Sequence, residues 1–396
     1  MGFEIGGRRI GSGEPLFVIA EIGLNHDGSV DRALALVDEA AKAGAHAIKL
    51  QSLYADRLVA AHCPAPQHVK AKSLRELFSH FELDEDAHAQ VAKRARKHGL
   101  LFMSTPFDEH AVDMLERLGC DAFKIASGDL THLPLIERVA RTGRPMVMST
   151  GMSTLHDVRE AVECARRAGA PHIALLHCVS AYPTPDDQQN LAAIRTVGDV
   201  FGLPVGLSDH SATACASAVT IAAAVALGAQ LYERHIKAAS DKQAIDEAVS
   251  SNAKQLADTI AIAEATSRAL GNGRREPQAA ERLNIDPSRR ALYATRDLQP
   301  GDFIAPADMI ALRPAKGLAP SFRAQLIGLR VQRDIAAGEA FTLVDLPTHL
   351  GDGAARAWIQ EHAPHAARTS PSQKADRGRI GTVKDKREGD GTRGAA

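Results

Sequence analysis

Eight short apolar runs, each followed by an Ala-rich amphipathic stretch, constrain this chain more than any other feature. They read LFVIAEI (16–22), AIKLQ (47–51), LLFMST (100–105), AFKIAS (122–127), PMVMST (145–150), HIALLHC (172–178), PVGLS (204–208) and QLYERHI (230–236). Such runs suit strands buried on both faces, which a parallel sheet covered by helices requires. The stretches between them carry helix punctuation. VDRALALVDEAAKAG stops at Gly44, and STLHDVREAVECARRAG opens on a capping Ser or Thr and stops at Gly169. Eight strand–helix units in about 250 residues have the size and order of an α/β fold of the TIM (β/α)8 barrel type. The gap between residues 51 and 100 is the longest, so LYADRLVAAHCPAPQHVKAKSLRELFSHF is expected to form an extended loop with a short helix near the barrel mouth.

A long helix over roughly 249–270 follows the eighth run, which gives a barrel domain over residues 1–270. The polar stretch 271–287 reads as a linker, and a small β domain is expected over 288–350. There RDLQPGDFIAPADM (296–309) is echoed by RDIAAGEAFTLVDL (333–346), with Gly301 answering Gly338, Asp302 answering Glu339 and Asp308 answering Asp345. Two copies of one short unit suit a pseudo-symmetric small fold rather than a solenoid. Residues 351–396, which include the only tryptophan, Trp358, have few large apolar groups and are expected to be disordered.

Composition narrows the function classes. A formal net charge of −1 over 396 residues provides no field for nucleic acid or an anionic membrane, so a small-molecule substrate is the expected partner. The five cysteines, Cys63, Cys120, Cys164, Cys178 and Cys215, form no C-x-x-C pair and read as reduced thiols rather than a disulfide framework or a structural zinc site. The N-terminus does not read as a signal peptide and no run of about 18 apolar residues occurs, so a cytoplasmic location is expected.

In such a barrel the chemistry gathers at the carboxyl ends of the strands. The polar residues there are Glu21, Lys49 with Gln51, Ser104 with Thr105, Lys124 with Ser127, Ser149 with Thr150, His177 with Ser180 and Tyr182, Ser208 with Asp209 and His210, and Glu233 with His235. Lys124 alone, inside an apolar run, is explained by an edge strand whose lysine reaches water. Two lysines converging with hydroxyls need an anion. Lys49 and Lys124 supply charge, and Thr105, Ser127, Ser149 and Ser208 supply neutral donors, a set suited to a small phosphorylated acid. A helix N-terminus after the Ser-Gly-Asp at 127–129 adds backbone donors. His210 and His235 end adjacent strands and can present two imidazoles to one divalent metal, with carboxylates and substrate oxygens completing its shell. Such a metal polarises a carbonyl.

The motifs FVIAEIGLNHDG, AIKLQ, FMSTPFD, FKIASGD, MVMSTGMST, HCVSAYPTP, GLSDHS and ERH, followed by RPAKG, resemble the N-acetylneuraminate (sialic acid) synthase family over residues 14–347. The resemblance implies a TIM barrel joined to a small C-terminal antifreeze-like (SAF) β domain. It also implies a domain-swapped homodimer, in which each small domain covers the partner's barrel, and a divalent metal, Mn2+ or Mg2+. The implied reaction condenses phosphoenolpyruvate with an N-acylated amino sugar, foremost N-acetylmannosamine, and releases phosphate. By position, Lys49, Thr105, Lys124, Ser127, Ser149 and Ser208 match phosphoenolpyruvate contacts, and His210 and His235 match metal ligands. Glu21, Gln51, Tyr182 and Asp246 match the sugar and water side, with Phe107 and Ser180 among the substrate-binding positions. Arg313 matches the arginine that reaches across the dimer to the N-acyl group. Glu21, Lys49, Lys124 and Asp246 are the expected catalytic groups, Glu21 handling the water.

Three departures fall near the sugar end: DKQAID before Asp246 in place of a Gly-Pro-Asp turn, Ser180 where some relatives carry Asn, and HDG rather than HNG at 26–28. They leave the acceptor open, with legionaminic or pseudaminic acid synthesis as alternatives. Two other readings differ in kind: a Schiff-base aldolase built on Lys124 or Lys49, and a non-catalytic sugar-binding protein.

Overall fold

A computed structural model describes residues 2–64, 73–212, 214–241 and 244–345. The chain divides into two compact units, Met1–Gly273 and Arg274–Ala396. The first begins with an antiparallel hairpin, β1 (Phe3–Ile5) and β2 (Arg8–Ile10). Eight parallel strands follow: β3 (Phe17–Gly23), β4 (Ala47–Ser52), β5 (Leu101–Pro106), β6 (Ala122–Ile125), β7 (Met146–Ser149), β8 (Ile173–Cys178), β9 (Val205–Asp209) and β10 (Leu231–Ile236). They pair in sequence order, and β10 pairs with both β9 and β3, which closes the barrel. Each apolar run of the sequence forms one of these strands.

The helices between them start and stop where side chains can satisfy their ends. Ser29 caps Val30–Ala43 and Gly44, at φ 81°, closes it; a Thr154–Asp157 capping box starts Leu155–Arg167. The last barrel helix runs from Ala253 to Leu270, a later start than the apolar pattern suggests. The residues before it form a 3-10 turn, Glu247–Val249, and a two-residue strand, β11 (Ser250–Ser251), beside β10. Asn252 and Gln255 then form the capping box that sets the helix start.

Side chains alternate across each strand, and this sorts the core. Val18, Ile48, Leu50, Phe102, Phe123, Leu175 and Leu207 join the helices in the outer layer. Phe17, Ile19, Ala47, Met103, Ala122, Val147, Leu176 and Leu231 form a separate inner cluster together with Phe3, Ile5 and Ile10 of the hairpin. The hairpin therefore plugs the barrel at its amino-terminal end, leaving polar groups at the other. Its two three-residue strands are too short to show a period in sequence.

In the long gap after β4, helices Ala55–Leu58 and Leu74–Ser79 are formed, while residues 65–72 lie outside the described residues. In the second unit, the stretch read as a linker carries a 3-10 turn, Ala279–Glu281, and a helix, Arg282–Ser288. β12 (Ala291–Ala294) then pairs antiparallel with β13 (Met309–Leu312) over a small core that includes Leu298, Ile304, Phe322, Val331, Ile335 and Phe341. The internal repeat is realised bond for bond. Arg296 pairs with Asp308 as Arg333 pairs with Asp345, and Arg296 with Asp302 as Arg333 with Glu339. The expected disordered tail and Trp358 lie outside the described residues. Among the described residues no helix is long and apolar enough to cross a membrane.

If the hairpin is part of the core, Ile5→Ala lowers the unfolding free energy by roughly 2–5 kcal/mol, the cost of emptying a buried isoleucine site. Urea titration reads this as a lower midpoint, and an unchanged midpoint would detach the hairpin from the core.

Candidate active site

The carboxyl ends of the barrel strands open into a cavity of about 370 Å³. Its walls include Glu21, Lys49, Gln51, Thr105, Phe107, Lys124, Ser127, Ser149, Ser180, Tyr182, Ser208, His210 and His235, together with Glu233 and Cys178. Strand alternation decides which strand-end residues these are. It turns four of the expected ones away from the mouth. Ser104 donates to Leu50 O (3.0 Å) and lies 2.7 Å from Ser52 Oγ, His177 Nε2 sits 2.8 Å from Gln189 O, and Asp209 pairs with Arg234 at 3.3 Å. Thr150 donates to Leu176 O rather than into the cavity. The mouth therefore holds two imidazoles, and Cys178 takes the inward position on β8.

Four charged side chains form the floor, each between 1% and 4% exposed: Glu21, Lys49, Lys124 and Glu233. Lys49 Nζ lies 2.6 Å from Glu21 Oε2 and 3.7 Å from Glu233 Oε2, and donates to Thr105 Oγ1 at 3.2 Å. Lys124 Nζ lies 3.0 Å from Glu233 Oε1, which also accepts from Ser208 Oγ (2.9 Å). Gln51 Nε2 donates to Glu21 Oε1 at 3.1 Å. Two cations and two anions make the quartet neutral, as burial demands.

The two lysines are nevertheless unlike. Burial opposes the charge of Lys49, but Glu21 and Glu233 together hold its pKa above the ordinary lysine value. For Lys124 burial prevails: Glu233 offsets it only in part, the Lys49 charge adds to it, and the pKa falls. Glu233 is pushed up by burial and pulled down further by both lysines, to a pKa of about 2. The sequence reading noted Glu233 at its strand end without giving it a role; its place between two cations is a fact of closure.

Hydroxyls stand beside the lysines. Ser149 Oγ is buried without a hydrogen-bond partner among the described residues, and Ser127 Oγ accepts from the Gly151 N–H at 3.1 Å. A Cβ on Gly151 would come within 2.3 Å of Ser180 Oγ and 2.8 Å of Ser127 Oγ, so only glycine lets these hydroxyls close in.

Across the cavity the rings of His210 and His235 are 5.6 Å apart, with Tyr182 at 4.1 Å from the first and 6.1 Å from the second. His210 Nδ1 lies 3.1 Å from Val179 O, and His235 Nδ1 lies 3.3 Å from Asp246 Oδ2. His235 Nδ1 is within ion-pair distance of Asp246 but is not aligned for a hydrogen bond, whereas for His210 the Nδ1–H form is favoured by the carbonyl it faces and Nε2 is left for a ligand. That is the orientation seen in metal-binding imidazoles. Among the described residues no three His, Cys, Asp or Glu side chains gather to hold a metal.

Burial opposes the charge of Asp246, but His235 outweighs it and the pKa is lowered. Cys178, which the sequence reading took only as one scattered thiol, lies 3.8 Å from His210 Nδ1. Burial would raise its pKa, yet His210 brings it below the ordinary thiol value. Arg313 belongs to the second unit, where it follows β13 and is exposed.

Comparison with known proteins agrees with both units. Residues 36–275 match the NeuB family and residues 289–347 match the SAF domain. An uncharacterized protein of Methanocaldococcus jannaschii is 38% identical, covering 84% of this chain and 94% of its own length. The N,N'-diacetyllegionaminic acid synthase of Campylobacter jejuni is 33% identical over 78% of this chain and 94% of its own. The N-acetylneuraminic acid (sialic acid) synthetase of Leptospira borgpetersenii, a solved structure, superposes with a TM-score of 0.65 at 33% identity, covering 72% of this chain and 95% of that one.

The quartet makes a measurable claim about stability. A carboxyl depressed in the fold stabilises above its unfolded pKa, and this contribution is lost as pH falls through the folded value. Glu233→Gln is therefore expected to flatten the decline in stability between pH values of about 4.5 and about 2. It should also cost about 3 kcal/mol at neutral pH by leaving Lys124 unpaired. Urea titrations across that pH range test both, and curves parallel to the unsubstituted protein would contradict the assignment.

Proposed function

This chain belongs to the NeuB family, and from that premise we propose that it condenses phosphoenolpyruvate, an N-acylated amino sugar and water into a sialic-acid-type nonulosonate plus phosphate. N-acetylmannosamine is the first acceptor to try; a legionaminic- or pseudaminic-type acetamido-deoxy sugar is the alternative. The carrying observation is the juxtaposition, in one cavity, of two buried lysines and a Ser149 hydroxyl without a hydrogen-bond partner among the described residues with two imidazoles whose rings are 5.6 Å apart.

Lys49 and Lys124 hold the carboxylate and phosphate of phosphoenolpyruvate, helped by Thr105, Ser127, Ser149 and Ser208. The substrate's negative charge competes with Glu21 and Glu233 for the lysines, so the cations are already in position before it binds. Gln51, Phe107, Ser180 and Tyr182 line the sugar side. The π electrons of the enol attack the sugar aldehyde through C3, forming the new C–C bond, and the aldehyde oxygen gains a proton. Water adds at C2 and gives one proton to Glu21, balancing the proton gained by the aldehyde oxygen, and the tetrahedral intermediate then breaks its C2–O bond to phosphate, which leaves with the remaining proton of the added water as the C2 carbonyl forms. A divalent ion, Mn2+ or Mg2+, held by His210 and His235 with Asp246 orienting the latter, supplies Lewis-acid polarisation of the aldehyde.

The partner is a second copy of the chain. Arg313 is exposed, as are Ile310 and Leu312 beside it on β13, and Met152 and Tyr182 are exposed at the cavity mouth. Docking of the small domain on the partner's barrel covers both sets and brings Arg313 to the acceptor's acyl group. The lowered pKa of Lys124 is also what a Schiff-base lysine shows, but its ion pair with Glu233 favours anion binding.

Phosphate release is the direct test. It should require both phosphoenolpyruvate and an N-acyl mannosamine-type sugar, stop with EDTA, return with Mn2+ or Mg2+, and give a nonulosonate by mass spectrometry. Lys124→Ala should lose phosphoenolpyruvate affinity with the fold intact, His235→Ala should lose turnover at any metal concentration, and borohydride should trap nothing. No phosphate from any acceptor in the panel would end the proposal. Separately, Lys124→Ala and Arg313→Ala chains are each expected to be inactive alone and to regain activity when refolded together, because one of the two sites is then complete. Failure of the mixture to regain any would place Arg313 outside the partner's site.

A further inference from the structure

Asn25, which has no role above, has a buried amide side chain that makes three hydrogen bonds close to the cavity. It sits in the turn after β3, is 1% exposed, and spends its amide on two other segments of the chain. Nδ2 donates to Ile236 O (2.9 Å) and Ser250 Oγ (2.9 Å), and Oδ1 accepts from the Asp246 N–H (3.1 Å). Ser250 Oγ donates in turn to Asp246 O at 2.6 Å. Asp246 is thus gripped at both its N–H and its C=O by a network centred on a residue 221 positions away. An amide with these bonds satisfied in a buried place cannot be removed without leaving polar groups unpaired.

The grip is aimed. Asp246 Oδ2 stands 3.3 Å from His235 Nδ1, at ion-pair distance though not aligned as a hydrogen bond, and β11, which carries Ser250, pairs with β10 at His235 itself. The end of β3 also clears the space for this pair. Gly23 has φ +54°, and a Cβ there would come within 3.1 Å of the His235 ring and 3.2 Å of Asp246 Oδ2. Two features at one strand end, a clamp and a gap, therefore converge on the same carboxylate–imidazole contact.

We infer that Asn25 is a positioning residue: it fixes Asp246, and through Asp246 it sets the orientation and the Nδ1–H form of His235. The role goes beyond the proposed reaction and does not depend on which sugar is the acceptor.

The test uses the full chain, labelled with ¹⁵N-histidine and freed of metal with EDTA, at a pH where the imidazoles are neutral. His235 should show the Nδ1–H pattern in the unsubstituted protein and lose that preference in both Asp246→Ala and Asn25→Ala, since a carboxylate held beside one ring nitrogen favours the proton on that nitrogen. A loop tie without this role would lower the melting temperature of Asn25→Ala and leave the His235 pattern unchanged, which would overturn the inference. Kinetics give a second reading. Asn25→Ala should lower kcat by about tenfold or more while the KM for phosphoenolpyruvate stays within about threefold, and on an Asp246→Ala background it should cost less than about threefold further. A full additional loss in the double variant would also overturn it. If Asn25→Ala does not fold, Ser250→Ala, which removes the hydroxyl donor to Asp246 O, is read by the same spectrum with the same two outcomes. The spectrum needs no turnover, so failure of the proposed reaction and failure of this inference are told apart.

Discussion

The site depends on one buried arrangement of charge: Glu21, Lys49, Glu233 and Lys124, contributed by β3, β4, β10 and β6. None of these side chains would be tolerated alone in the barrel, because desolvating an unpaired ion costs several kcal/mol. Together they are neutral, and Glu233 serves both lysines. That sharing requires β10 to lie beside β3, so it is available only once the barrel has closed. Closure and the charge pattern thus depend on each other: an open sheet would leave Lys124 without the carboxylate that lies 3.0 Å from it.

Strand alternation carries the rest of the division of labour. The inner face runs from the apolar plug of Phe3, Ile5 and Ile10 through Ala47, Met103 and Leu231 to the charged floor and then the hydroxyls and imidazoles. The outer face at the same level holds a second buried network, in which Asp209 accepts from Tyr232 and Ser217 and pairs with Arg234. His210 and His235 directly follow Asp209 and Arg234, so the outward network anchors the backbone that presents both imidazoles. The second unit reaches stability in another way, with a short unit used twice and each copy tied by an arginine to its own acids.

Much of this was legible in the sequence because it is periodic or local. Apolar runs such as LFVIAEI and AIKLQ report burial on both faces, and Gly44 and Thr154 mark helix ends through bonds made within a few residues. Lys124 was conspicuous as a cation in an apolar run, and the lysines, hydroxyls and two histidines were found at strand ends. A place at a strand end does not by itself say which way a polar group points. Ser104, His177 and Asp209 are each one residue out of phase with the cavity, and a period of two turns such residues to the other face. The hairpin escaped notice because three residues carry no period.

The sequence by itself determined the number and order of the barrel strands, the repeat in the second unit and the chemical kinds of group available for a site, since each is written in neighbours along the chain. Only the tertiary structure decided that Glu233 would bridge two lysines, that Cys178 rather than His177 would face the cavity, and that Asn25 would hold Asp246 against His235. Those outcomes rest on distances between residues far apart in the chain, which exist only after the barrel closes and excludes water from its floor.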